Sequence, residues 1–110
     1  LGDVYKRQLQ YKVEEFTDEA VVKISGWALN RKTLRAGTLN IVLTGQDKQQ
    51  YIVKSERLYR PDVRDAFGKR RLAFAGFEAA FIKQNLPKQH YEVSLVLDGD
   101  ACMVGSIVVA

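Results

Sequence analysis

Few residues in this chain have both the type and the company needed for covalent or metal chemistry. The single histidine, His90, stands between Gln89 and Tyr91 without clustered carboxylates or thiols, so it reads as structural or solvent-exposed, not as a ligand or base. The single cysteine, Cys102, excludes an internal disulfide and a cysteine-based zinc site, and its alternating apolar surroundings predict a core thiol. Asp98 and Asp100 flank Gly99, but the further oxygen ligands of a calcium loop are missing. No nucleophile elbow, phosphate-binding glycine loop or dinucleotide fingerprint occurs. The expectation is a chain with no catalytic residues, no metal and no cofactor.

Binding chemistry is better represented. Between Glu56 and Arg71 six basic residues (Arg57, Arg60, Arg64, Lys69, Arg70 and Arg71) meet three acidic ones (Glu56, Asp62 and Asp65), a surplus of three within a formal net charge of +4. Arginine presents a planar fork that pairs bidentately with phosphate, and a local cationic field concentrates polyanions. The alternative is a solvated loop in which Arg60 and Arg64 pair with Asp62 and Asp65. Trp27, the only tryptophan, and Tyr59 offer aromatic faces of the kind that stack on the C–H side of sugar rings. For Trp27 the competing role is to cover a sandwich face or meet a neighbouring domain. The candidate ligand-binding residues are therefore Trp27, Arg57, Tyr59, Arg60, Arg64, Arg70 and Arg71.

The elements that must carry these residues are short strands. Leu9 to Phe16 alternates loosely, with Leu9, Tyr11 and Val13 on one face, and Val22, Ile24, Gly26 and Ala28 share a face in the next stretch. Leu39, Ile41 and Leu43 begin a β-hairpin over residues 38–56 that turns at Gly45-Gln46-Asp47-Lys48. Phe77, Ala79 and Phe81 mark another strand. Tyr91, Val93, Leu95 and Leu97 form a period-two stripe that turns at Asp98-Gly99-Asp100 and returns over Ala101 to Val109. One segment breaks this rhythm. Pro61 suits a first helical position, Val63 and Phe67 lie four apart, and Gly68 stands where a helix must stop, so residues 61–67 are expected to make a short helical turn. About seven strands at this spacing, without alternating helices, indicate an all-β antiparallel sandwich.

A chain of 110 residues, 46% hydrophobic and 27% charged, suits one soluble domain, and no apolar run approaches the roughly 20 residues of a membrane-spanning helix. Both ends look cut from a longer protein, and Leu1 to Gln8 resembles the translated adapter peptide found at the start of reading frames assembled from metagenomic reads. That resemblance implies a non-native or linker segment over residues 1–8 and a domain over 9–110.

Three local patterns carry a second resemblance: Ile24-Ser25-Gly26-Trp27-Ala28-Leu29, Arg60-Pro61-Asp62-Val63-Arg64-Asp65-Ala66-Phe67, and Ala75-Gly76-Phe77-Glu78-Ala79 followed by the Leu86-Pro87 corner and the Tyr91-Glu92-Val93 strand. In that order, over about residues 20–100, they resemble an immunoglobulin-like module attached to bacterial glycosyltransferases of cell-wall, capsule and teichoic-acid synthesis. The resemblance implies a non-catalytic accessory domain that binds an acceptor polymer or organises neighbouring domains. Its implied partners are an anionic, teichoic-acid-like glycan and a glycosyltransferase domain in the same chain. Its implied location is the cytoplasm, with membrane-peripheral placement through the parent protein as an option. Two alternatives stand beside it. One is a structural spacer or oligomerisation module, which apolar side chains exposed on an outer face (Trp27, Leu29 and Val42 being candidates) would favour. The weaker one is a nucleic-acid-binding β-domain, since the strand lysines Lys23 and Lys54 are scattered and not interleaved with aromatics. No nucleic-acid partner is expected.

Overall fold

The computed structural model describes residues 8–110. Eight strands run in chain order: β1 (Leu9–Asp18), β2 (Val21–Asn30), β3 (Leu39–Gly45), β4 (Gln50–Lys54), β5 (Glu56–Leu58), β6 (Gly76–Ile82), β7 (His90–Leu97) and β8 (Asp100–Val108). One helix, α1 (Pro61–Phe67), and a 3-10 turn (Arg70–Leu72) lie between β5 and β6. The expectation for the first eight residues falls outside the described region except at Gln8. The backbone N–H of Gln8 donates to Asp100 Oδ2 at 2.9 Å.

The strands form two antiparallel four-stranded sheets, ordered β1-β2-β6-β5 and β4-β3-β7-β8. This is the Greek-key order of an immunoglobulin-like sandwich, A-B-E-D facing C′-C-F-G. The corner leading into β7 matches that fold: Tyr91 is buried, and its hydroxyl donates to the Pro87 carbonyl at 2.7 Å. The strand missing from the sequence reading is β5. It has only three residues, too few to show a period, and Ser55 alone separates it from β4 as the chain crosses from one sheet to the other.

Alternation explains the interior. Val22, Ile24 and Ala28 of the first sheet face Leu39, Ile41, Leu43, Tyr91, Val93, Leu95 and Leu97 of the second, all in one buried cluster with Phe77 and Ile107. The loose pattern of β1 has a local cause. Its register against β2 shifts between Val13 and Glu15, so the core-facing set changes from Leu9, Tyr11 and Val13 to Phe16. Gly26 makes room for this bulge, because a Cβ there would lie 2.0 Å from the Lys12 carbonyl oxygen. The Phe16 ring then lies against Gly105 of β8 and joins the two sheets along one side.

At one end a polar clasp joins the sheets. Asn30 is buried, and its Nδ2 donates to Asp98 Oδ2 at 2.8 Å and to Gln8 Oε1 at 3.1 Å. Its Oδ1 accepts from the backbone of Lys32 and Thr33. Asp98 and Gly99 both hold positive φ, 50° and 84°, which is the two-residue hairpin turn that Asp-Gly favours. Cys102, expected in the core, is half-buried: β8 is an edge strand, and the thiol packs at the margin beside the Tyr11 hydroxyl at 3.1 Å.

Candidate functional site

The segment that broke the strand rhythm is an excursion of the β5–β6 hairpin. Leu58 pairs with Gly76, and one step outward the Arg60 N–H donates to the Ala73 carbonyl at 2.7 Å, so residues 60 and 73 form a closed neck. Between them α1 starts at Pro61, carries Asp62 in its first turn and ends at Gly68, whose φ of 66° is the left-handed cap geometry that glycine adopts without steric cost. Val63 and Leu72 point back onto the outer face of the first sheet. There they meet Leu29 and Ala75 in a second buried cluster, with Trp27 and Phe67 packed at its margin.

This cluster decides the position of Trp27. The indole is half-buried and meets the Phe67 ring edge-on, with centroids 6.0 Å apart. Leu29, a candidate for outer-face exposure, is fully buried under the same cover. Both side chains point outward from the sheet, and the excursion lies over them. Val42, on the other sheet, is half-buried.

The arginines divide by what holds them. Arg57 is drawn into the protein, where Nη1 donates to the carbonyls of Ala28 (3.0 Å) and Ala75 (2.9 Å) and Nη2 to that of Ala36. Burial lowers its pKa to about 10, opposed by the charge of Asp98. Arg57 is thus a bolt between β2, the residue leading into β6 and the loop after β2. Arg60 lies over Gly76 and grips two carboxylates, Asp62 through Nε and Nη2 (2.9 and 2.8 Å) and Glu14 of β1 through Nη1 and Nη2. Its guanidinium holds the Asp62 carboxyl down at about 2 and also lowers Glu14, while the hydrogen bonds to Asp62 and Glu14 raise Arg60 itself. Arg71 donates to the Leu34 carbonyl at 3.0 Å.

The remaining cations face outward. Arg64 pairs with Asp65 at 3.0 Å and donates to the Tyr59 hydroxyl at 3.1 Å, with its guanidinium carbon 5.8 Å from the Tyr59 ring centroid. The Asp65 contact, then that to Tyr59, raises the Arg64 pKa. Lys69 and Arg70 are exposed, and neither has a side-chain hydrogen bond or ion pair among the described residues. Arg64, Asp65, Gly68, Lys69 and Arg70 line a shallow depression of about 420 Å³.

Beside it stands a pair of exposed rings. Tyr59 is 53% and Phe74 57% exposed, and their centroids are 5.5 Å apart with a 53° tilt. Phe74 was absent from the candidates read off the sequence. The clue lay in the hairpin: if Leu58 pairs with Gly76, residues 59 and 74 flank the neck on opposite strands. The excursion therefore brings together Tyr59, Arg64 and Arg70 with Phe74 and Lys69, and it sets Trp27, Arg57, Arg60 and Arg71 into supporting contacts.

No helix of the described residues is long and apolar enough to cross a membrane. No family model, curated protein or solved structure matches the chain.

Proposed function

We propose that this domain is a non-catalytic accessory module of a larger polysaccharide-synthesising glycosyltransferase, and that it holds a glycan acceptor on the 59–75 excursion. The observation that carries this reading is the pair of neighbouring, half-exposed rings, Tyr59 and Phe74, beside Arg64 and two cations that have no side-chain partner among the described residues. Large apolar rings left in water beside hydrogen-bonding groups favour a ligand with one apolar face and polar edges, which describes a pyranose. Residues 60–67, one of the three patterns that together carry the family resemblance, build the helix of this excursion. The anionic glycan implied by that resemblance suits the outward-facing cations.

The test is titration of the domain with neutral and phosphate-bearing glycans at low and moderate salt. Binding is expected, and Tyr59→Ala and Phe74→Ala are each expected to weaken it about three- to tenfold, the loss of one stacking contact. Absence of binding to every glycan, together with concentration-dependent self-association, would move the assignment to a pairing module. That second reading has its own observation. On the outer face of the second sheet, Ile52 (68% exposed) and Met103 (59% exposed) lie in one row with Val42 and Ser94 across all four strands.

A further inference from the structure

The aromatic pair and the cationic depression share one residue. Arg64 lies at the Tyr59 ring and also lines the depression, so the two surfaces are contiguous and one ligand can occupy both. Their charges are unequal in availability. Asp65 pairs with Arg64, whereas Lys69 and Arg70, which line the same depression, have no side-chain partner among the described residues. Gly68 lines the depression with them, and a Cβ at that position would meet nothing within 4 Å.

We infer that the excursion forms a single composite subsite for a sugar bearing a phosphate monoester on the same or the adjoining residue. The sugar ring lies on Phe74 and Tyr59, and the anion lies between Lys69 and Arg70. This rests on the glycan reading above and adds the chemistry of the bound unit. Two uncompensated cations match the charge of about −1.5 to −2 on a phosphate monoester, and one of them carries the planar fork that phosphate oxygens accept bidentately. A uronate would supply one charge and leave the second cation unmatched. Of the remaining arginines, Arg57 and Arg60 already spend donors on protein oxygens, and Arg71, held to the Leu34 carbonyl through Nε, does not line the depression.

The experiment is NMR titration of the ¹⁵N-labelled domain with a panel of neutral hexoses and N-acetylhexosamines, their 1-phosphates, glucuronate, methyl phosphate and an eight-residue oligothymidylate. At least one sugar 1-phosphate is expected to bind about tenfold or more tighter than both its neutral sugar and methyl phosphate. Changing Lys69→Gln and Arg70→Gln together is expected to reduce that affinity to the level of the neutral sugar while leaving the neutral sugar's own binding unchanged. Phe74→Ala is expected to weaken both sugars and to leave methyl phosphate unaffected. These substitutions are at exposed positions, and an unchanged spectrum elsewhere confirms the fold. If neutral sugars bind but their phosphates bind no tighter, the composite subsite is wrong and the glycan reading stands. If no sugar of either kind binds, both fall. Methyl phosphate matching the sugar phosphates, glucuronate exceeding them, or a Phe74-dependent preference for the oligonucleotide would each overturn the assignment as well.

Discussion

The sandwich interior and the patch beneath the 59–75 excursion are both dry and apolar, yet they hold different things in place. The interior draws on strands from the whole length of the chain, with Val22, Ile41, Phe77, Leu95 and Ile107 in one cluster. The outer patch rests on four buried residues, Leu29, Val63, Leu72 and Ala75, and its cover consists of seven helical residues and one 3-10 turn. A cover of that length has little helical stability of its own, so its order comes from packing onto the sheet. The difference teaches that one domain can keep a global fold and a locally set surface on separate supports.

The sharpest way to break this comparison is truncation in each cluster. Leu95→Ala is expected to cost about 2–5 kcal/mol of global stability, with far-UV signal and Trp27 fluorescence lost together in urea. Leu72→Ala should instead uncouple the probes, with Trp27 fluorescence changing at lower urea than the far-UV signal. Coincident transitions in that variant would show that the two clusters are one cooperative unit.

A second, smaller effect separates the arginines. Arg57→Met removes the donor of three backbone carbonyls and is expected to cost about 1–3 kcal/mol, since these oxygens lie where water reaches them poorly. Arg71→Gln, at an exposed side chain with one backbone contact, should stay within about 0.5 kcal/mol in the same urea measurement. Equal costs would remove the distinction between a structural and a surface arginine.

The smallest effect is the pH dependence of the tie between the excursion and β1. Arg60 lowers both the Asp62 and Glu14 carboxyls, so the folded state binds fewer protons there than the unfolded chain does. The contribution is therefore complete above the ordinary carboxylate range of about 4 and is lost as pH falls toward about 2. Wild type should lose more stability than Arg60→Gln between pH 5 and pH 2.5, and equal losses would show that the clamp adds nothing.

What the sequence reveals follows the range of the interactions. Strands β2, β3, β6 and β7 are legible because each buries one face and alternates accordingly, and Pro61, Val63, Phe67 and Gly68 mark the helix within eight residues. The Gly26 exception in β2 is also visible, although the bulge that requires it, at Val13 to Glu15, lies on another strand. The site is less legible because its meaning depends on distant pairing. Six basic residues within sixteen positions look alike in one dimension, and only the fold shows that Arg57 turns inward, that Arg60 reaches Glu14, and that Lys69 and Arg70 remain outside. The Asn30–Asp98 clasp spans 68 positions and had no local sign.

The closed neck between Arg60 and Ala73 has a consequence for how such a surface changes over time. A segment whose two ends already meet can be exchanged as a cassette, since a replacement of different length need only return to the same pair of backbone atoms. Residues 61–72 can therefore diversify, or be transplanted by a protein engineer onto another hairpin, as long as two apolar side chains take the places of Val63 and Leu72 over the outer face of the sheet. The cations of the depression are then inherited apart from the sandwich, while Tyr59 and Phe74 stay with the hairpin that belongs to it.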